Sequence, residues 1–314
     1  MGKIAFMFPG QGSQVVGMGK DLYDQLDEAK QFVSKADEAL GFELSSIMFD
    51  GPQEDLTLTY HAQPALLTTS TMLLNEFVKS GIKADYVAGH SLGEYSALVA
   101  SGVLSFEDAV VAVNKRGRYM DEAVPAGQGT MAAILGMNAI ELKEVTDEIT
   151  AQGDAVQLAN INCPGQIVIS GTVAGVGKAS ELAKEKGAKR AIPLVVSGPF
   201  HSSLMKPAAE KLSETLSTMT FHDATIPVIA NVTAEAVMEK EDIQTKLIEQ
   251  LYSPVRWEET VETLLAEGVD TFIEIGPGKV LSGLVKKVHR RATVYAVNDL
   301  ETLQATIEAI QGGE

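Results

Sequence analysis

Short apolar runs alternate along the chain with longer stretches whose apolar residues recur every third or fourth position. Runs bounded by glycine or proline read as buried strands, and the longer periodic stretches as helices with one apolar face. Lys3–Phe8 is such a run and enters the loop Pro9-Gly10-Gln11-Gly12-Ser13-Gln14, whose glycines allow a close backbone approach. Residues 21–40 and 61–79 carry helical patterns, with Gln63-Pro64 at the start of the second, where proline is tolerated. Residues 85–88 are the next predicted strand and 92–100 the helix after it. Ser105-Phe106-Glu107-Asp108 reads as a capping box opening a helix whose stripe runs through Ala109, Ala112, Val113 and Met120.

The composition shifts at Val124-Pro125-Ala126-Gly127-Gln128-Gly129, a predicted linker. Beyond it the pattern predicts a strand at 131–135, a helix at 139–150, a strand at 156–161, a turn at Pro164-Gly165, a strand at 166–170, a helix at 174–186 and a strand at 191–196. That βαββαβ order is the ferredoxin-like arrangement. The chain leaves this unit through Ser197-Gly198-Pro199-Phe200-His201. Helices then follow at 211–219, 242–252, within 254–265, at 280–288 and at 300–310, with strands at 226–230, 271–275 and 293–297, the last closing the sheet. Gly276-Pro277-Gly278-Lys279 lacks phosphate-loop spacing and reads as a turn. The expected fold is α/β: a large α/β-hydrolase-like domain with a parallel-sheet core, residues 1–126 and 198–314, and an inserted small ferredoxin-like domain, residues 127–197.

Composition narrows the partners. A formal net charge of −17 argues against nucleic acid, whose phosphates need basic surface. Cys163 is the single cysteine, so no intrachain disulfide can form, and a reducing cytoplasm is the expected compartment. The apolar run 4–8 is too short for a signal-peptide core, and Met1-Gly2 is followed at the sixth position by Phe6 rather than the Ser or Thr of a myristoylation start. No apolar stretch is long enough to span a bilayer, so no membrane partner is expected.

Gly89-His90-Ser91-Leu92-Gly93 is a G-x-S-x-G pattern at a predicted strand-to-helix junction. There a serine sits on a strained turn, the nucleophile elbow. The same spacing also suits an inert serine in a strand–helix turn. A nucleophilic serine needs a neighbouring base, most often histidine. The elbow points His90 away from Ser91, whereas His61, His222 and His289 lie in helical or turn surroundings. His201 follows the small unit at the predicted domain cleft and is the candidate base. The N–H of Leu92 and that of Gln11 are candidate oxyanion donors. Arg116 falls on the apolar stripe, with Lys115 and Arg118 on the other side. A core-facing arginine needs a partner: an internal Asp or Glu, or a carboxylate that arrives with the substrate and accepts two parallel hydrogen bonds.

Phe8-Pro9-Gly10-Gln11-Gly12, Gly89-His90-Ser91-Leu92-Gly93, Arg116-Gly117, Asn160-Ile161-Asn162, Phe200-His201 and Gln250-Leu251-Tyr252 occur in the order seen in malonyl-CoA:acyl-carrier-protein transacylases. Over essentially its whole length the chain resembles that family. The resemblance implies a ping-pong transfer in fatty acid biosynthesis, from the thioester of coenzyme A to Ser91 and on to the phosphopantetheine thiol of acyl carrier protein. It implies His201 as base, Arg116 as the holder of the malonyl carboxylate, Gln11 and Leu92 as the oxyanion hole, and the Gln250 carbonyl as the group orienting His201. Gln63 and Asn162 are expected to line the pocket, and Phe200 to crowd the room an α-methyl would need. No cofactor or metal is expected: coenzyme A is part of a substrate, and phosphopantetheine belongs to the partner. Two basic clusters, Lys184, Lys186, Lys189 and Arg190, and Lys286, Lys287, His289, Arg290 and Arg291, are candidate surfaces for these acidic partners, with solvated charge as the alternative. Competing readings are a serine thioesterase, a free-standing polyketide-pathway acyltransferase and a non-catalytic docking partner.

Overall fold

A computed structural model describes residues 2–125 and 127–312. Met1, Gly313, Glu314 and Ala126, the last in the expected linker and at the expected domain boundary, lie outside the described residues. The strands are, in chain order, β1 (Lys3–Phe8), β2 (Tyr86–Gly89), β3 (Gly129–Leu135), β4 (Val156–Cys163), β5 (Gln166–Thr172), β6 (Arg190–Pro193), β7 (Val228–Ile229), β8 (Ala236–Val237), β9 (Val255–Arg256), β10 (Val269–Ile275) and β11 (Thr293–Val297). They form two sheets, ordered β11-β10-β1-β2-β7-β8 and β6-β3-β5-β4-β9.

The first sheet is parallel from β11 to β7, with β8 added antiparallel at one edge. Strand β1 explains why it needs cover on both faces. Ile4, Phe6 and Phe8 join one core cluster with Leu66 and Leu98, while Ala5 and Met7 join another with Trp257, Val261 and Leu281. Side chains alternate across a strand, so an unbroken apolar run feeds two cores at once. Helices Thr59–Phe77, Gly93–Ala100 and Phe106–Glu122 contribute to the first core, and Trp257–Ala266 and Val280–Val288 to the second. Full burial of each large side chain contributes about 1.5–3 kcal/mol.

The second sheet is antiparallel from β6 to β4. Ala132 and Ile134 of β3 pack with Leu142, Val145 and Val176 of helices Ala139–Ala151 and Val173–Glu185. The alternate residue Met131, with Ala159 and Val168, joins the main core instead. The sheet is thus pinned to the large one, and a cleft opens where the two meet.

Several expectations change. The predicted helix 21–40 is two helices, Lys20–Gln25 and Asp27–Leu40, because Leu26 is extended and packs on the main core. Two short helices, Leu44–Asp50 and Gln53–Thr57, occupy a stretch that gives no periodic signal. Pro64 lies inside helix Thr59–Phe77 rather than at its start. Proline has no N–H for the carbonyl four residues back; the Asn114 side chain donates to that Tyr60 carbonyl at 2.7 Å instead. Strand β6 stops at Pro193, which has no N–H to donate; one more bond, from the Leu194 N–H to the Met131 carbonyl at 3.0 Å, follows before the chain leaves the sheet, short of the expected end at 196. Strand β9 pairs in parallel with β4 and was not expected. β11 lies at the sheet edge, beside β10.

Candidate active site

Strand β2 ends at Gly89 and the elbow helix Gly93–Ala100 begins four residues on. A Cβ on Gly89 would lie 1.9 Å from the Gly93 carbonyl, and one on Gly93 would lie 2.1 Å from the Phe8 oxygen. Only glycine permits so tight a crossing. Between them Ser91 is held at φ 52°, a strain of roughly 1–3 kcal/mol for a residue with a Cβ. Its backbone is fixed from both sides: its N–H donates to Asn231 Oδ1 at 2.7 Å, and its carbonyl accepts from Gln250 Nε2 at 3.0 Å. Asn231 Nδ2 also donates to the Gly89 carbonyl at 2.7 Å.

His201 is buried and also left-handed, at φ 56°. Its Nε2 lies 2.8 Å from Ser91 Oγ and its Nδ1 lies 2.8 Å from the Gln250 carbonyl. A carbonyl can only accept, so Nδ1 carries the proton and Nε2 is free to take one. That carbonyl ends helix Lys240–Gln250, where backbone oxygens have no helical partner and the dipole is negative. Burial, then the Arg116 charge, pushes His201 down to about 3.

Arg116 is fully buried. Its Nη1 donates to Gln63 Oε1 at 2.8 Å, and its Nη2 to Ser91 Oγ at 3.0 Å and Gln250 Oε1 at 2.9 Å. Its Nε has no partner. Every acceptor is neutral: among the described residues no Asp or Glu pairs directly with this guanidinium, so the internal ion-pair reading gives way. Burial works against its charge, and Tyr95 and Glu94 support it.

Ser91, His201, Arg116, Gln11, Phe200 and His90 share the wall of a cleft of about 450 Å³, with Met131 and Asn160 from the second sheet and residues 194–197 at the crossing. Among the described residues the N–H groups of Gln11 and Leu92 have no protein acceptor. Leu92, Gln63 and Gln250 do not line the wall; Gln63 and Gln250 act on it through Arg116 and His201, which they hydrogen-bond. Asn162 is not on the wall either; its Oδ1 sits 2.9 Å from His90 Nε2, and His90 packs on Trp257 with ring centroids 5.6 Å apart. The pocket residue of that motif is Asn160. Two positions on, Asn162 would share its face of a regular strand, but β4 shifts register between Ile161 and Cys163, and the Asn162 side chain is engaged by His90. Glu94 and Asn231 escape a residue-by-residue reading, since neither carries a spacing signal and their importance comes from contacts across the fold.

The basic clusters split. Lys287 Nζ donates to Gln166 Oε1 at 2.7 Å, and the Lys189 side chain covers Gly136, whose N–H bonds the Gly165 carbonyl at 2.8 Å. Both lysines therefore flank the β4–β5 turn. Lys186 is paired with Glu148 at 2.8 Å, while His289 and Arg291 line a separate cleft beside Asp270.

The acyl transferase domain family matches residues 5–305. The chain is 66% identical over 311 residues to the malonyl CoA-acyl carrier protein transacylase of Bacillus subtilis, covering 99% of this chain and 98% of that one. The crystal structure of an acyl carrier protein S-malonyltransferase from Vibrio cholerae superposes with a TM-score of 0.94 at 48% identity, over 97% of this chain and 99% of that chain. A malonyl-transacylase solved in complex with its type II PKS acyl-carrier protein superposes with a TM-score of 0.94 at 42% identity, over 98% of this chain and 99% of that chain. By sequence over its full length and by fold, the chain belongs to the acyl transferase family and, within it, to the malonyl-CoA:acyl-carrier-protein transacylases.

Proposed function

We infer that the chain moves a malonyl group from coenzyme A to the phosphopantetheine thiol of acyl carrier protein, in fatty acid biosynthesis, through a malonyl ester on Ser91. The observation that carries the site assignment is the setting of Ser91 Oγ, 2.8 Å from His201 Nε2 and 3.0 Å from Arg116 Nη2. His201 takes the hydroxyl proton as Oγ attacks the thioester carbon. The oxyanion accepts from the N–H groups of Gln11 and Leu92, each worth roughly 3–4 kcal/mol by analogy with other oxyanion donors. The C–S bond breaks, and the imidazolium returns its proton to the departing thiolate. In the second half the carrier thiol gives its proton to His201, its sulfur attacks the ester, and Ser91 leaves with the proton. The Gln250 carbonyl, at the negative end of its helix, stabilises the imidazolium where a carboxylate would otherwise stand.

A malonyl group has one methylene between its two carboxyl carbons, so a cation reading the free carboxylate must stand beside the nucleophile. Arg116 does, and its hydrogen bond to Ser91 Oγ passes to the substrate carboxylate on binding. Phe200 stands on the cleft wall, and in this reading its ring crowds the room an α-methyl would need. The proton and electron pairs move only among these groups and the two thiols, so the reading calls for no resident cofactor or metal. It treats the parallel sheet with its elbow as α/β-hydrolase-like, and residues 127–197, in strand order β6-β3-β5-β4, as a ferredoxin-like insertion. No described helix is long and apolar enough to cross a membrane, and the one thiol, Cys163, is unpaired; both support a cytoplasmic enzyme.

Mass spectrometry after mixing with malonyl-CoA tests the reading. One malonyl adduct on the parent and none on Ser91→Ala is expected, with discharge to carrier protein faster than to water. Faster release of free malonate makes it a thioesterase; a labelled Ser91→Ala protein removes the nucleophile. Methylmalonyl-CoA in the same assay should label Phe200→Ser better than the parent, relative to malonyl; an unchanged ratio removes the role of Phe200.

A further inference from the structure

Glu94 is buried in the first turn of the elbow helix and takes no part in the chemistry above. Its Oε2 accepts from Gln250 Nε2 at 2.7 Å and from the Asn231 N–H at 3.2 Å. The other end of the same Gln250 carboxamide, Oε1, accepts from Arg116 Nη2 at 2.9 Å. A carboxamide is nearly symmetric in shape, so packing alone does not choose which end points where; hydrogen bonding does. On one side stands a guanidinium, which only donates. On the other stands a carboxylate, which when ionised only accepts. The reversed amide would set NH₂ against guanidinium N–H and oxygen against carboxylate, two mismatches in a dry interior.

We propose that Glu94 is a positioning residue for the substrate-carboxylate cation: through the Gln250 carboxamide it fixes the orientation in which Arg116 meets a carboxylated acyl group. Arg116 otherwise holds only neutral acceptors, so its charge is balanced one residue away rather than by direct contact. That spacing matters. A carboxylate touching Arg116 would occupy the donors the substrate needs; one behind Gln250 supports the cation and leaves it open. Burial works against the charge on Glu94 and pushes it up to about 7, while the groups facing it, Gln250, the Asn231 N–H, Arg116 and Lys246, all favour the ionised form that only accepts. Glutamine at this position would present either an oxygen or an NH₂ to Gln250, so one of the two constraints on the amide would be lost and only Arg116 itself would be left to orient it.

The inference rests on the malonyl reading of Arg116, and the test separates the two. Single-turnover acylation of Ser91 is measured with malonyl-CoA and acetyl-CoA for the parent, E94Q, E94D, R116A and E94Q/R116A. The ratio of the two rates does not depend on the fraction of protein folded. E94Q should lower the malonyl-to-acetyl ratio of kcat/KM by about tenfold or more, since misplacing a positioning group by about 1 Å can cost a hundredfold. E94D, which keeps the charge, should restore most of the ratio, and E94Q should add nothing to the ratio once Arg116 is gone. A selective loss in R116A with an unselective loss in E94Q overturns the inference alone. A further shift of the ratio in E94Q/R116A overturns it too, because Glu94 would then act by another route. Equal losses on both substrates in R116A overturn the carboxylate reading and the inference with it.

Discussion

Ser91 and His201, far apart in the chain, both take left-handed backbone angles, and the backbone of each is hydrogen-bonded to side chains from elsewhere in the fold: Ser91 to Asn231 and Gln250, and His201 to Gln157, whose Nε2 donates to its carbonyl at 3.3 Å. The nucleophile is legible from its glycines, because the crowding that demands them is local. The base is legible only as the histidine after the small unit, and its 2.8 Å contact with Ser91 is a tertiary fact. Burial also sets how the site answers to pH. His201 falls to about 3 from the usual 6.5, so between those values the unfolded chain binds more protons there and stability rises with pH. Glu94 rises to about 7 from the usual 4.5, so between those values the folded chain binds more protons and stability falls with pH. The two oppose each other from about 4.5 to 6.5, where their slopes cancel. Replacing His201 by Gln removes one arm. The stability of His201→Gln relative to the parent should therefore climb as pH drops from 6.5 toward 3, read from urea midpoints at several pH values. A difference that stays constant with pH would show that burial of this imidazole has no such cost.

Among the elements, some periodic stretches and flanked apolar runs are readable to the residue, as with Lys3–Phe8 and Val280–Val288, whereas the helix expected at 211–219 begins five residues earlier and spans Lys206–Ser217. Short helices such as Leu44–Asp50 are not, since one or two turns cannot establish a period. Helix Thr59–Phe77 makes the sharper lesson. Its Pro64 is affordable because Asn114, on the neighbouring helix Phe106–Glu122, satisfies the Tyr60 carbonyl. The same contact holds together the helices that carry Gln63 and Arg116. Asn114→Ala should cost about 1–3 kcal/mol in urea unfolding by leaving that carbonyl unpaired. In a Pro64→Ala background the cost should shrink, because residue 64 then supplies the missing N–H. Equal costs in the two backgrounds would separate Asn114 from the proline.

Over the whole molecule, a chain of net charge −17 must receive two acidic partners. Its basic residues are sparse, and what counts is where the fold gathers them. Lys189 and Lys287 come from segments far apart in the chain and meet at the β4–β5 turn, on the side where the second sheet meets the large one. Lys189→Glu with Lys287→Glu should raise KM for carrier protein by about threefold or more and flatten its salt dependence, in steady-state assays across ionic strengths. An unchanged KM would remove this surface from docking.

Local chemistry along the chain is enough to name the α/β class, the elbow serine and an arginine out of place on an apolar stripe. Glycine crowding, side-chain periodicity and the cost of burying charge all act over a few residues, and so leave a mark in the order of amino acids. The partner of that arginine, the orientation of the Gln250 amide and the meeting of two lysines at one turn leave no such mark. They depend on groups brought together from opposite ends of the chain, and hydrogen-bond direction and charge balance exist only once those groups are within a few ångström of each other.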